Sequence, residues 1–255
     1  SPASFEEFIL AQYGKSIARY FLIPYNEKIW GVHPREMTTE WCQRFFPVIP
    51  TEQILAGAVG AQLPEMGYNV EFFYPRSGGI EQLPRAMAKQ VDADQIHCSS
   101  AVEKVDHVRR RVRVGGDWID YRFLVSTVPL SALCKMLLEP TAEIKLHTEN
   151  LRHTGVDYLD VSVHPAVKQN YHWVYLPDSE HPAYRIGVYS NVIADMAPPN
   201  SSSLYVELAD RNRYASAEQA MRDIGPAMVK MGLISSTDQI KMARLRKIEY
   251  AYVIY

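Results

Sequence analysis

Hydrophobic positions near the start of the chain follow a helical period. In residues 4–21 apolar side chains recur at helical spacing, and Ser4 stands where a helix cap is expected. The pattern predicts one or two helices, interrupted near Gly14 and stopped before Pro24. Two shorter helices are predicted at residues 39–46 and 52–59, between prolines. The first part of the chain is therefore expected to be helical.

Strand-like patterning takes over in the middle of the chain. Residues 69–74 predict a strand, followed by a turn at 75–79 and a helix at 80–90. Further strands are predicted at residues 95–98, 102–108, 111–114, 118–121 and 123–127. Gly115 and Gly116 predict a hairpin turn, and a helix is expected at residues 130–138.

A second β-rich block carries aromatic residues at alternate positions. Its strands are predicted at residues 156–163, 172–176, 184–189 and 204–208, followed by a helix at 216–231 and a strand at 239–255. Because side chains alternate between the two faces of a strand, one face of this block is expected to line a core or a binding site. The whole pattern predicts an α+β (mixed α/β) fold.

The charge balance argues against a polyanionic partner. The 255 residues are 47% hydrophobic and 22% charged, which suits one large core or two smaller ones. The 27 basic and 29 acidic residues give a net charge of -2, so no strong field exists to attract nucleic acid or an anionic membrane. The basic run of Arg109, Arg110, Arg111 and Arg113 alternates with valines, which favours the solvent face of a strand over a phosphate site.

The cysteines and the apolar runs indicate a cytoplasmic location. Cys42, Cys98 and Cys134 are far apart and form no CxxC pair, which argues against a disulfide framework or a zinc site. No apolar run approaches the roughly 20 residues needed to span a bilayer. A reducing cytoplasm is the simplest setting, and neither a metal nor a transmembrane segment is expected.

Residue spacing alone identifies no catalytic site. The sequence contains no GxGxxG, Walker loop, HExxH or GxSxG, and no Cys/His cluster at ligand spacing. The residues therefore predict a mixed α+β chain with aromatic strands and leave its activity open.

Five segments, in order, resemble UDP-galactopyranose mutases and the flavin amine oxidase superfamily. The first, Ile-Pro-Tyr-Asn-Glu-Lys-Ile-Trp-Gly at 23–31, resembles the PYNxKxW signature of the mutases. The others are Trp41 with Arg44, the aromatic-Pro-x-x-Gly-Gly turn at 73–80, the Leu-Val-Ser-Thr-Val-Pro-Leu segment at 124–130, and residues 172–177 with Tyr184-Arg185 and Ser190-Asn191. The last group is similar to the WLYFPE, YR and SN elements of the mutases.

The resemblance implies a domain plan and a cofactor. It makes residues 1–66 a helical substrate subdomain, 67–145 part of a flavin-binding domain, and 146–255 a substrate-binding mixed sheet. The implied cofactor is FAD, with Gly78, Gly79, Asn69 and Val102 beside it. The glycine-rich unit that holds the flavin pyrophosphate in the family has no counterpart in this sequence, nor has the later GR-containing segment. We therefore expect truncation at both ends and weak or absent FAD binding by this stretch alone.

The resemblance also implies a substrate site. Arg185 corresponds to the arginine that contacts the diphosphate of the sugar nucleotide, a task suited to a planar fork of donors. Arg44 would be a second clamp, with Tyr184, Asn191 and Trp173 nearby. Each residue could instead have a purely structural role: a salt bridge for the arginines, core packing for the aromatic residues and a turn for the glycines.

Three functions follow from these observations. The first is a mutase of nucleotide sugars in a bacterial polysaccharide pathway, in which reduced flavin attacks the anomeric carbon, UDP leaves and the sugar ring contracts. Val192 departs from that pattern, because the mutases carry a tyrosine after the SN pair. The second is an FAD-dependent oxidoreductase that acts on an amine or a porphyrinogen-like substrate. The third is a non-catalytic binding module. A small-molecule substrate is the expected partner, and the oligomeric state is left open.

Overall fold

A computed structural model describes residues 2–46, 49–61 and 71–255 of the chain. These residues contain helices and two sheets, and the predicted α+β class is confirmed. The chain divides into two compact units: Ser1–Ile80 with Thr154–Tyr255, and Glu81–His153. The three-part division at residues 66 and 145 stays a prediction. No helix within the described ranges is long and apolar enough to cross a membrane.

The first unit begins with a kinked helix that continues through a π-helical turn into a second helix. Helix α1, Phe5–Ile17, is capped by the Ser4 hydroxyl and kinked at Gly14, where φ is +76°. A π-helical turn, Ala18–Leu22, leads into α2, Ile23–Trp30. The predicted interruption is confirmed, but the predicted stop before Pro24 is wrong. Proline occupies the first turn of α2, where its missing N–H costs no helical hydrogen bond.

Two short helices complete the helical part of this unit. Helix α3 covers Cys42–Phe45, within the predicted range 39–46. Helix α4 covers Thr51–Ala58 and is shifted by one residue from the predicted range 52–59. The ring of Phe5 lies 4.8 Å from that of Trp41 and 5.2 Å from that of Phe46, measured between centroids. These rings, with buried Ile9 and Met37, form the core under α1.

A five-stranded sheet provides the rest of the first unit. Its strands are β4 (Arg152–Val163), β5 (Trp173–Tyr175), β6 (Ala183–Val188), β7 (Ser202–Leu208) and β8 (Ile240–Ile254), in the spatial order β5-β6-β7-β4-β8. A short helix, α8 (Tyr189–Val192), follows β6. All five strands overlap the strands predicted from the sequence.

The two faces of this sheet differ in chemistry. Leu159, Ile186 and Val206 belong to one apolar cluster with Ile224 and Met228 of α9, Ala217–Lys230. Each fully buried side chain of this size contributes roughly 1.5–3 kcal/mol. The opposite face is polar and aromatic, since the residues between these apolar positions include tyrosine, arginine and glutamate. The alternation predicted from the sequence therefore yields one core face and one face free to form a site.

The second unit contains a small antiparallel sheet and three helices. Strands β1 (Val102–Asp106), β2 (Arg111–Val114) and β3 (Asp117–Asp120) pair in that order, with the predicted hairpin turn at Gly115 and Gly116. The helices are α5 (Gln82–Ala88), α6 (Leu130–Met136) and α7 (Ala142–Asn150). Helix α7 was not predicted, because no residue in it is buried and it has no apolar stripe.

Three predicted strands are not found among the described residues. Residues 123–127 are not in a strand, and Phe123 and Val125 are 81% and 89% exposed. Their apolar character predicts a buried strand, but a strand forms only where a partner supplies the ladder hydrogen bonds. Residues 95–98 begin at the end of a 3-10 turn, Ala93–Gln95, and have no partner strand. Residues 71–74 are also not in a strand, while 69 and 70 lie outside the described residues.

Candidate functional site

The first unit contains an aromatic cavity of about 490 Å³. Helix α2, the segment around α3, strands β5 and β6, and the end of β8 form its wall. The lining residues are predominantly aromatic and aliphatic: Phe21, Leu22, Tyr25, Asn26, Ile29, Trp30, Trp41, Phe45, Phe46, Tyr175, Arg185, Ala251, Tyr252, Val253 and Tyr255. Arg185 is the only charged side chain in this lining.

The PYNxKxW segment forms α2 and one side of the cavity. Tyr25 and Trp30 line the cavity, one near each end of the helix. Asn26 is buried, and its amide donates to the carbonyl oxygen of Leu22 at 2.7 Å. The indole N–H of Trp30 donates to Oδ1 of Asn26 at 3.2 Å. Asn26 therefore orients Trp30 and binds the preceding π-helical turn.

Lys28 ties α2 to the β5–β6 hairpin. Its ammonium group donates to the carbonyl oxygens of Leu176, Asp178 and Ala183 at 2.8, 2.6 and 2.8 Å. These bonds use all three donors of the ammonium group. Burial lowers the pKa of Lys28 to about 8. Lys28 thus connects α2, which contains Tyr25, to the hairpin of β5 and β6, whose residues Tyr175 and Arg185 also line the cavity.

Arg185 is fixed by a two-point ion pair. Its Nε donates to Oε2 of Glu207 at 2.6 Å, and its Nη2 donates to Oε1 at 2.7 Å. The two residues lie directly opposite each other on β6 and β7. Burial alone would lower the pKa of Arg185, but the hydrogen bonds and charge of Glu207 raise it above its usual value. The guanidinium is therefore permanently charged and held in one orientation.

Tyrosine hydroxyls surround this ion pair. Burial raises the pKa of Tyr25, and Arg185 opposes that rise. Burial and the nearby carboxylate of Glu207 also raise the pKa values of Tyr184 and Tyr252. All three phenols are therefore neutral over the physiological range and can donate hydrogen bonds.

A second aromatic group continues along the same face of the sheet. Gly187 lies opposite Tyr205 on β7 and opposite Trp173 on β5. A Cβ at Gly187 would stand about 2.0 Å from the ring of Tyr205, so only glycine lets that ring lie over the strand. The indole N–H of Trp173 donates to the hydroxyl of Tyr205. Burial raises the pKa of Tyr205 to about 12, and its ring centroid lies 4.7 Å from that of Tyr189.

The predicted substrate residues occupy different environments. Arg185 lines the cavity, whereas Trp173 belongs to the second aromatic group. Tyr184 is 1% exposed and lies where the β6 register shifts, 6.2 Å from Tyr25 between ring centroids. Asn191 donates to the carbonyl oxygens of residues 169 and 171, and Arg44 is exposed beside the ring of Phe45. Of these five residues, Arg185 alone lines the cavity.

The predicted cofactor residues that the structure describes belong to both compact units. Gly78 and Gly79 have φ of +75° and +71° and lie in a bend of the first unit. Val102 begins β1 in the second unit, opposite Val114. Asn69 lies outside the described residues. Val192, where the mutase pattern has a tyrosine, ends helix α8.

Several site residues were missed by the sequence reasoning. Glu207, Tyr175 and Tyr252 were not singled out, although each contacts or adjoins Arg185. Tyr175 lies in the segment 172–177 that resembles the mutases, whereas the only sequence signal of Glu207 and Tyr252 is a position on a strand with alternating aromatic residues. Pairing Glu207 with Arg185 requires the β6–β7 register, which single-sequence patterning does not supply.

The described residues fit a flavin only as part of its surroundings. The positive φ values of Gly78 and Gly79 expose backbone that a planar ring system could approach. A pyrophosphate, however, needs a set of backbone N–H groups or a helix N-terminus after a glycine-rich turn, and the sequence has no such fingerprint. Among the described residues, no group of three or more His, Cys, Asp or Glu side chains could hold a metal ion.

Comparison with solved structures shows the same fold in several enzymes. The chain matches a reduced UDP-galactopyranose mutase with a TM-score of 0.89 and 23% sequence identity, over 100% of this chain and 56% of that one. It matches cyclohexylamine oxidase from Brevibacterium oxydans with a TM-score of 0.62 and 11% identity, over 96% and 53%. A CLA-producing fatty acid isomerase from P. acnes gives a TM-score of 0.56 and 12% identity, over 96% and 53%. The chain therefore spans little more than half the length of these proteins.

The family assignment comes from the sequence of the chain itself. A family model described as flavin containing amine oxidoreductase matches residues 14–231. The match covers both units, including the PYNxKxW helix, Arg185 and the β6–β7 pair. The family name implies a flavin cofactor. The chain belongs to the flavin-containing amine oxidoreductase family.

Proposed function

We propose that this chain supplies the substrate pocket of an FAD-dependent enzyme resembling UDP-galactopyranose mutase, acting on a nucleotide sugar in polysaccharide biosynthesis. The supporting observation is a fixed guanidinium, that of Arg185, in the wall of an otherwise aromatic cavity. A nucleotide sugar offers a planar base for aromatic contacts and a diphosphate for the guanidinium. The match to the reduced mutase, at a TM-score of 0.89, supports the same fold for both.

Arg185 keeps donors for an anion despite its ion pair. A guanidinium has five N–H donors; Glu207 accepts from two of them, and the Tyr252 hydroxyl is hydrogen-bonded to the same guanidinium. The remaining donors suit the oxygens of a diphosphate, and each charge-assisted bond is worth roughly 1.5–3 kcal/mol. Tyr25, Tyr175 and Tyr252 would surround the same ligand, while Arg44 remains a proposed second clamp.

FAD is the proposed cofactor. When bound and reduced, a flavin supplies the electron pair that attacks the anomeric carbon of the sugar. The residues of this chain would hold the leaving diphosphate, orient the sugar and exclude water. Gly78 and Gly79 are the proposed points of close approach to the flavin, with Asn69 and Val102 as further contacts. We also propose a cytoplasmic location, since Cys42, Cys98 and Cys134 are free thiols.

An FAD-dependent oxidoreductase is the second candidate. The observation that favours it is the ion pair, in which the negative charge of Glu207 neutralises the positive charge of Arg185. The pair therefore adds no net charge to a cavity whose lining is predominantly aromatic and aliphatic. Such a cavity suits an apolar amine or a porphyrinogen-like substrate. Solved relatives of this fold include cyclohexylamine oxidase.

Ligand protection separates the two candidates. Thermal unfolding of the full-length protein would be followed with UDP, UDP-galactose or cyclohexylamine. Because a ligand that binds only the native state raises its stability, the mutase proposal predicts protection by UDP and UDP-galactose. Arg185→Lys, which keeps the charge but loses the planar fork, should weaken UDP binding about tenfold or more.

The matched control is Arg113→Lys. Arg113 pairs with Glu103 at 2.8 Å in the second unit, where both side chains are about 40% exposed. This variant should bind UDP as the wild type does. Protection by cyclohexylamine without protection by UDP would contradict the mutase proposal and support the oxidoreductase.

A further inference from the structure

Glu207 lies beside Arg185 on the adjacent strand and outside the cavity lining. Arg185 lines the cavity, whereas Glu207 is not part of the lining, and the side chains are 27% and 12% exposed. Each carboxylate oxygen accepts one hydrogen bond, at 2.6 and 2.7 Å, so the guanidinium plane cannot rotate without breaking both. The pair stands in register on β6 and β7, two adjacent inner strands of the five-stranded sheet. The orientation of the guanidinium is therefore set by Glu207.

The direction of the free donors follows from this geometry. Glu207 takes the Nε–H and one N–H of Nη2, and the Tyr252 hydroxyl is also hydrogen-bonded to the guanidinium. The other donors of Nη1 and Nη2 are left for a ligand. We propose that Glu207 is a positioning residue that presents this free edge of Arg185 to the diphosphate of a nucleotide sugar. This inference rests on the proposed function.

Removing Glu207 would change the affinity for a diphosphate in opposite directions, depending on whether its charge or its effect on the orientation of Arg185 dominates. Its negative charge repels a diphosphate, so if charge dominated, removing it would tighten anion binding. If orientation dominates, removing it frees the guanidinium, and each ligand must then order a flexible side chain. The sign of the change in affinity distinguishes the two effects.

The experiment measures UDP binding to the full-length protein by calorimetry. Glu207→Ala should weaken binding about tenfold. Glu207→Gln should fall between Glu207→Ala and wild type, because its single carbonyl oxygen can accept one of the two original hydrogen bonds. Uridine, which lacks the phosphates, should bind all three proteins equally. A purely structural role for Glu207 would weaken UDP and uridine together.

The controls use a matched ion pair in the second unit. Glu103→Ala and Glu103→Gln remove the partner of Arg113 and should leave UDP binding unchanged. If Glu207→Ala does not fold, Glu207→Gln carries the test, because the charge effect predicts tighter binding and positioning predicts weaker binding. Unchanged or tighter UDP binding in the folded Glu207 variants overturns the inference alone. Failure of the wild-type protein to bind UDP overturns the proposed function and this inference with it.

Discussion

At the scale of single residues, the PYNxKxW segment is explained largely by hydrogen bonding. Asn26 binds Leu22 and Trp30, and Lys28 binds three carbonyl oxygens of the β5–β6 hairpin. The two aromatic residues of this segment, Tyr25 and Trp30, line the cavity. The motif therefore combines two cavity-lining rings with the polar residues that hold them in place.

Replacing Lys28 tests this division of roles. Lys28→Met keeps the apolar stem but removes three hydrogen bonds and leaves carbonyl groups without their donor. We expect the free energy of unfolding to fall by about 2–3 kcal/mol. Urea unfolding of the full-length protein provides the measurement.

Lys15→Met is the control for the loss of a lysine charge, since Lys15 is exposed on α1. It should change stability by less than about 0.5 kcal/mol. Equal effects of the two substitutions would show that the Lys28 hydrogen bonds add nothing to stability.

At the scale of elements, the β1–β2 turn is held by Asp106. Its carboxylate accepts from the backbone N–H of Arg109 at 2.9 Å and from Nε of Arg111 at 3.1 Å. The backbone hydrogen bond, with those from the two arginines, lowers the pKa of Asp106 below its usual value. The predicted solvent-facing arginines thus include two that stabilise the turn.

Asp106→Asn should destabilise the second unit in a pH-dependent way. A depressed carboxyl pKa contributes stability above the unfolded-state value of about 3.9, and the contribution is lost as pH falls through the folded-state pKa. The difference in stability between wild type and variant should therefore be present at pH 7 and shrink below about pH 4. Denaturant unfolding at several pH values measures it, with exposed Asp117→Asn as control. A difference that stays constant down to acidic pH would refute the role of the charge.

The sequence predicted elements whose signals are local. The Gly115-Gly116 hairpin and helix α9, which starts after the capping Ser216, depend on short-range turn and cap chemistry. The predicted helix end before Pro24 was wrong because proline is found both after helix ends and in the first turn of helices. The strand predicted at residues 123–127 does not form, because a strand also needs a neighbouring strand to accept and donate its backbone hydrogen bonds. Local patterns thus predict elements better than pairings.

At the scale of the whole molecule, the site depends on long-range register. Motif resemblance identified Arg185, but the cavity joins residues of α2, β6 and β8 that are more than 60 positions apart. The alternating aromatic residues around Glu207 and Tyr252 do not identify these two as neighbours of Arg185. The family was recognisable from sequence, whereas the partners of its central arginine required the folded sheet.

The central claim is that Arg185 and the aromatic cavity hold a nucleotide diphosphate. A crystal structure of the full-length protein with UDP tests it most directly. We expect a diphosphate oxygen within about 3 Å of Nη1 or Nη2 of Arg185, with the Glu207 pair intact. UDP bound elsewhere, with no contact between its diphosphate and Arg185, would contradict this proposal.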